Sequence, residues 1–412
     1  MSQKFSQAFF KGNRRALIKN VETKLVVIAA NAELQRSGDT TYPFRQDSNF
    51  WYLTGIDEPN YLLVISEKSE YLIKPNRHWV KDVFDGAIDD RSLVKTSGIT
   101  QILDNRKGWQ KLTKQLNSTK NVSTLFPMQD RHFNITANPA RRQMIMKMRR
   151  RVPALQMDDI RLVLARMRMV KQKAELAAIQ SAIDITCQTM NEVFTAKWAS
   201  QYTHEYELEA DINAGFRKRG ADTVAFPTML AAGKDACQIH PTSNAGRLNS
   251  GDLLLFDLGA EVDNYAADIS RTLPINGKFT PRQKEIFDAV NEVYEFALKQ
   301  LKPGVFVKEY EQSVEVYMGE VLKRLGLIKN VERKHIRKFY PHATSHMLGL
   351  DTHDAADYTR PLAANMVITV EPGIYIPSEK IGIRIEDDVL ITSGGTKVLS
   401  DNLPIRIGQT TM

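Results

Sequence analysis

The sequence predicts two domains of different class, an α/β domain followed by an α+β domain. Three observations carry this expectation. The chain has 412 residues, long for one domain. Its first part holds short apolar runs of strand type among turn residues and helical stretches. The remainder interleaves amphipathic helices with strands, and its last two apolar strands each run straight into an acid. We place the boundary between residues 1–165 and 166–412.

In the first domain, residues 24–30 (KLVVIAA) and 60–66 (NYLLVIS) have the continuous apolar character of buried strands. The aromatics of YPFRQDSNFWYLTG, residues 42–55, read as packing rather than a binding box. Residues 112–115 fall in a helix and residues 122–126 in a further strand. The cluster RRQMIMKMRRR, residues 141–151, reads as a helix with a solvated basic face and Met144, Ile145 and Met148 on the other side. No aromatic interleaving marks it as a nucleic-acid patch. A connector is expected near residues 153–160.

The second domain opens with a helix over residues 171–194, where Leu176, Ile179, Ile183 and Met190 keep one face. A second helix, 205–219, stops at Gly220. Strands follow at 228–232, 252–257 and 271–275. Helices are expected at 281–302 and 310–325. Two strands, 366–370 and 381–385, close the chain.

Composition excludes several classes. Hydrophobic residues at 42% and charged residues at 25% are ordinary for a globular chain. The net charge of +8 comes from 56 basic residues interspersed with 48 acids, so nucleic acid is not an expected partner. The two cysteines, Cys187 and Cys237, lack CxxC spacing and fit a reducing compartment. The N-terminus lacks the apolar core of a signal peptide. No apolar run reaches the roughly 18–20 residues of a membrane helix. We expect a soluble cytoplasmic protein with no membrane partner.

The chemistry begins with the closing strands. In NMVITVEPGIYI, residues 365–376, Glu371 follows an apolar run, and in IGIRIEDDV, residues 381–389, Glu386 does the same. A carboxylate there is costly to bury unless it is paired or holds a metal. Asp257 and Asp268 bracket a turn near residues 262–264 that would bring them together. Two close carboxylates repel unless they share a proton or a cation. HATSHMLGLDTHD, residues 342–354, holds three of the chain's eight histidines, His342, His346 and His353. The His342–His346 spacing suits a helix face, and a strand–loop path is equally compatible. His240 is a fourth candidate. Each residue alone is commonly structural. Together, Asp257, Asp268, His346, Glu371 and Glu386 offer four carboxylates and one imidazole. That set suits Mn²⁺, with Co²⁺, Zn²⁺ or Fe²⁺ as alternatives. Four anionic ligands suit two divalent cations better than one.

In this order, the motifs resemble the pita-bread metallopeptidases: methionine aminopeptidase, prolidase and aminopeptidase P. The resemblance covers roughly residues 170–405. It rests on IH at 239–240, DLG at 257–259, ADISRT at 267–272, SHMLGLDTHD at 345–354, TVEPGIYI at 369–376 and GIRIEDDV at 382–389. SGDTTYPFRQDSNFWYLTG, residues 37–55, resembles the creatinase/aminopeptidase P-like N-terminal domain, which methionine aminopeptidases lack. The bacterial aminopeptidase P type fits best.

The resemblance implies a pita-bread catalytic domain and a hydrolase, a metallo-exopeptidase releasing the N-terminal residue from peptides with proline at the second position. It implies that Asp268 and Glu386 bridge two divalent ions, with Asp257 completing one and His346 and Glu371 the other. A metal-bridging hydroxide would attack the carbonyl before proline, and Glu371 would shuttle the proton. His240 and His353 would steady the substrate and the oxyanion, and His342 would line the site. Arg384, Tyr358 and Asp39 match family positions around it. Two departures stand out: Ala355-Ala356-Asp357 replaces a Val-Gly type stretch, and Phe84 replaces a tryptophan. Relatives form dimers and tetramers, so a homo-oligomer is expected. The alternatives are a prolidase restricted to Xaa-Pro dipeptides and a non-catalytic binding module. The latter typically loses ligands, whereas all five positions are filled here.

Overall fold

The structure, a computed structural model, describes residues 5–127, 135–195, 198–241 and 243–406. The chain divides into two compact units, Met1–Met167 and Arg168–Met412.

In the first unit, six strands form one mixed sheet. Their order is Ile102–Leu103, Glu70–Ile73, Leu62–Ser66, Leu25–Ala29, Asn121–Thr124 and Gln156–Asp159. Leu25–Ala29 runs antiparallel to Leu62–Ser66 and parallel to Asn121–Thr124, and all five of its residues are buried. A continuous apolar run is what a strand covered on both faces requires. The helices Asn105–Thr119 and Ala140–Arg151 set Trp109, Leu112, Leu116, Met144 and Met148 into this sheet's core. The arginine-rich helix therefore turns its methionines inward. Trp51 and Tyr52 are buried against Phe5, Phe9 and Phe10, and Phe50 is buried as well, so these three aromatics are packing, whereas Tyr42 is exposed.

The expected connector at residues 153–160 is corrected. Gln156–Asp159 is an edge strand, paired in parallel with Asn121–Thr124. Its residues alternate between exposed and half-buried, so no apolar run announces it.

In the second unit every strand pairing is antiparallel among the described residues. One ladder joins Met229–Ala232, Leu253–Leu258 and Ile269–Pro274. Another joins Val367–Val370, Asp387–Thr392 and Gly395–Val398, and Gly373–Ile376 forms a hairpin with Ile381–Arg384. The helix Lys173–Val193 buries Ile179, Ile183 and Met190, the face its spacing predicts. Pro281–Gln300 begins at a Thr280 cap with proline in its first turn, where the missing N–H costs nothing. With Val307–Arg324 it packs Ile286, Val290, Val293, Val314 and Met318 against Ile368, Val370, Ile374, Ile383 and Val389. Each such buried side chain contributes about 2 kcal/mol. The strands that carry the acids are thereby held from behind. Among the described residues, no helix is long and apolar enough to cross a membrane.

Candidate metal centre

Register places the first pair of acids. Asp257 lies opposite Ser270 in the ladder, so both side chains leave the same face. Asp268 precedes Ser270 by two residues and shares that face by the period of an extended chain. The chain turns back between these segments at Asp263 and Asn264, both in the left-handed region at φ 51° and 65°. Asn and Asp tolerate that conformation, and a turn of this hand suits a tight hairpin. Gly259 completes the approach. A Cβ there would lie 1.7 Å from the Ala267 carbonyl oxygen, so only glycine lets the two segments close.

The second pair comes from the other ladder. Val370 pairs with Asp387, which puts Glu371 and Glu386 side by side just beyond its end. The Glu386 amide donates to the Ser270 carbonyl at 3.0 Å and joins the two ladders. His346 arrives on an extended strap rather than a helix. Its amide donates to Thr369 Oγ1 at 3.1 Å, and the Thr369 amide donates to the His346 carbonyl at 2.9 Å. Its Nε2 then stands 3.4 Å from Asp268 Oδ2 and 3.5 Å from Glu371 Oε1. One ligand atom each from Asp268, His346 and Glu386 lies within 4.8 Å of the others.

The electrostatics follow from this crowding. Burial, then the Glu386 and Asp257 charges, hold the Asp268 carboxyl well above its usual range. Burial, then Glu386, does the same to Glu371. Burial, then Asp257, pushes Glu386 up to about 8. His346 and His342 are driven down to about 3, in each case mainly by burial, with His353 adding to the first and Arg384 to the second. Neutral imidazole is the form that ligates metals. Asp257 offers Oδ2 to Arg384 Nη2 at 2.5 Å, while its buried Oδ1 has no hydrogen-bond partner among the described residues. Acids that repel and an orphaned carboxylate oxygen are the demand a cation meets. An oxygen-rich set with one imidazole suits a hard or borderline divalent ion.

Around the acids lies a polar shell. Ser270 Oγ donates to Glu386 Oε2 at 2.6 Å and accepts from Arg384 Nε at 2.8 Å. The Tyr375 hydroxyl sits 3.0 Å from Arg384 Nη1 and 2.8 Å from His342 Nε2. Sequence reasoning missed Ser270 and Tyr375. The signal was their even separation from Asp268 and Glu371 within ADISRT and TVEPGIYI. His342 Nδ1 is 3.6 Å from Glu371 Oε2. His353 lies beside His346, ring centroids 4.1 Å apart and the planes tilted by 41°, and His240 is close enough to His342 and His353 to influence both. Tyr358 is 45% exposed in the turn after His353. Asp39 and Phe84 belong to the first unit. Asp39 lines a cavity of about 710 Å³ there with Glu58, Arg77 and Lys81, and Phe84 is 82% exposed.

Residues 177–393 match the family model of metallopeptidase family M24. The chain belongs to metallopeptidase family M24. Its M24 segment contains Asp257, Asp268, His346, Glu371 and Glu386, and also His240, His342, His353 and Arg384. Residues 10–125 match the aminopeptidase P N-terminal domain, which bears out the expected pairing of an α/β domain with an α+β pita-bread catalytic domain. This M24 protein is 32% identical to the Xaa-Pro aminopeptidase of Escherichia coli, over 96% of this chain and 95% of that one. It is 31% identical to Xaa-Pro aminopeptidase 3 of Homo sapiens, over 92% of this chain and 78% of that one. Its structure is similar to that of aminopeptidase P from E. coli with the inhibitor Pro-Leu. The TM-score is 0.85 at 30% identity, covering 98% of each chain.

Proposed function

We propose that this M24 protein is an Xaa-Pro aminopeptidase, which releases the N-terminal residue from peptides with proline second. The observation that carries the proposal is the convergence of Asp268, His346 and Glu386 within 4.8 Å, beside Asp257 and Glu371, in a chain whose full-length relatives bear that name. Asp257, Asp268, His346, Glu371 and Glu386 would hold two divalent cations, Mn²⁺ in our reading. When bound, the cations supply Lewis-acid polarisation and a water acidified to near neutrality.

The chain's own residues do the rest. Glu371 sits among other acids in a buried place that raises its affinity for a proton. It takes a proton from the nucleophile and returns it to the prolyl nitrogen, which must leave protonated. His353, its proton affinity lowered by burial and then by His240, donates a hydrogen bond to the developing oxyanion, and His240 holds the substrate beside it. His342, fixed by the Tyr375 hydroxyl and the Ala343 carbonyl, lines the wall next to Glu371. Arg384 orients Asp257 through its 2.5 Å contact. Two free thiols fit work in the cytoplasm.

Hydrolysis of Arg-Pro-Pro and of Ala-Pro, by metal-stripped protein with Mn²⁺ restored, tests the proposal. Metal-dependent release of arginine from the tripeptide is expected. Cleavage of the dipeptide alone would make the protein a prolidase, and cleavage of neither with several divalent ions would leave a binding module. Asp268→Asn removes an anionic ligand and should abolish turnover. Full activity with two metals bound to that variant would overturn the ligand assignment.

A further inference from the structure

Next to the acids lies a second ionic cluster, for which the chemistry above has no use. Asp354 follows His353 and is fully buried, with side-chain exposure of 1%. One of its oxygens meets Arg168 Nη2, and the other accepts from Lys171 Nζ at 2.6 Å. Arg168 Nη2 also reaches Asp351 Oδ2 at 2.7 Å, and Lys171 Nζ donates to the Arg168 carbonyl at 2.7 Å. The Lys171 amide is anchored too, donating to Asn365 O at 2.8 Å. Arg168 and Lys171 are 2% and 1% exposed in their side chains.

The cluster closes against the loop that joins His346 to His353. The Asp354 amide donates to Met347 O at 2.8 Å, the Gly349 amide to Asp351 O at 3.1 Å, and the Ala266 amide to Gly349 O at 2.9 Å. Gly349 rests directly on the charges. A Cβ there would lie 2.3 Å from Asp354 Oδ2 and 2.6 Å from Lys171 Nζ. His346 has its own anchor in Thr369. His353 has no such tie: among the described residues no hydrogen bond reaches its ring, so the backbone that carries it decides where the imidazole lies.

A buried ion cluster is a poor device for stability alone, because desolvation offsets much of its attraction. What it supplies is direction, since each oxygen of Asp354 has an assigned cation. Resting on the assignment of His353 to the substrate, we propose that Arg168, Lys171 and Asp354 form a positioning cluster that sets the 347–354 loop and, through it, the His353 imidazole. None of the three touches substrate. They act on the reaction only through the residue next to Asp354.

Lys171→Met tests this with the Arg168–Asp354 pair left in place. The readouts are kcat and KM for Arg-Pro-Pro with the Mn²⁺-loaded enzyme, bound metal, and the same substitution in a His353→Ala background. A misplacement of about 1 Å in a catalytic group costs up to roughly 100-fold, so a 10- to 100-fold loss of kcat is expected, with metal content unchanged. In the His353→Ala background Lys171→Met should cost nothing more, and Lys171→Arg should restore part of the loss. Gly349→Ala, which wedges the loop off the cluster without removing a charge, should repeat the pattern if Lys171→Met does not fold. An unchanged kcat in the foldable variant would overturn the inference, as would an equal loss in both backgrounds, while an impaired His353→Ala enzyme kept the function proposal intact. Wild-type turnover by His353→Ala would overturn the role of His353 itself and the inference with it.

Discussion

Ser270 is the smallest group with the largest reach in this site. Its hydroxyl donates to Glu386 at 2.6 Å and accepts from Arg384 at 2.8 Å, so one oxygen orients Glu386 and the arginine that holds Asp257. Outer groups of this kind typically matter by about 10- to 100-fold in metal affinity or activity. Ser270→Ala should therefore weaken metal binding by roughly that factor, read by competition with a chromogenic chelator. Affinity equal to that of the parent protein would mean that Glu386 is held by its backbone alone. Glu371 and Glu386 stood out in the sequence because an acid driven into an apolar strand demands a reason. Ser270 and Tyr375 did not. A hydroxyl in a strand is ordinary, and its partners are known only once the register of two ladders is known.

Arg271 does for the strands what Ser270 does for the ligands. Its guanidinium pairs with Asp387 at 2.7 Å and donates to the carbonyls of Ser270 at 3.0 Å, Glu386 at 2.6 Å and Leu403 at 2.9 Å. It thus ties Ile269–Pro274 to Asp387–Thr392 and to the segment after Val398. Asp387 also accepts from Tyr294 and Ser400, yet removing the cation leaves a buried charge without its counter-ion. Arg271→Met should cost about 3–5 kcal/mol of stability, measured from the urea midpoint at constant slope. A loss below about 1 kcal/mol would mean that the two hydroxyls suffice. At this scale, legibility followed the strength of the apolar pattern. The helices Lys173–Val193 and Pro281–Gln300 announced themselves by spacing and by proline at a start, and the Glu371 and Glu386 strands by their runs. Gln156–Asp159 stayed hidden because it is polar and marginally buried, held by backbone pairing to Asn121–Thr124. The His342–His346 spacing left helix and strand open. The bridge of Met347 to Ile368 settles it, because contact with Val367–Val370 satisfies backbone groups that an isolated helical turn would leave unpaired.

Across the whole catalytic unit, protons and cations compete for the same oxygens. Glu386 in the folded apoprotein stands at about 8, against 4.5 for an ordinary glutamate, and Asp268 and Glu371 shift in the same direction. The folded chain therefore holds protons that the unfolded chain releases. These acids' contribution is fully present below about pH 4.5 and is lost as pH rises through the raised folded values. Asp354 has the opposite sign. Burial opposes its charge, but Arg168 and Lys171 outweigh burial and hold it below the usual range. Its contribution is present above the ordinary carboxylate pKa and is lost as pH falls through the lowered value. Acid weakening of the apoprotein thus comes from the Asp354 cluster, and alkaline weakening from Asp268, Glu371 and Glu386. A divalent cation held by those acids would replace their protons, and each proton displaced per pH unit changes the balance by about 1.4 kcal/mol. The rise in Tm on adding Mn²⁺ to stripped protein should accordingly be larger at pH 8 than at pH 6, measured by calorimetry in oxygen-free buffer at a fixed excess of metal. An equal rise at both values would show that the acids are already ionised in the folded apoprotein. The crowding of Asp257, Asp268, Glu371 and Glu386 would then be relieved by bound water rather than by protons.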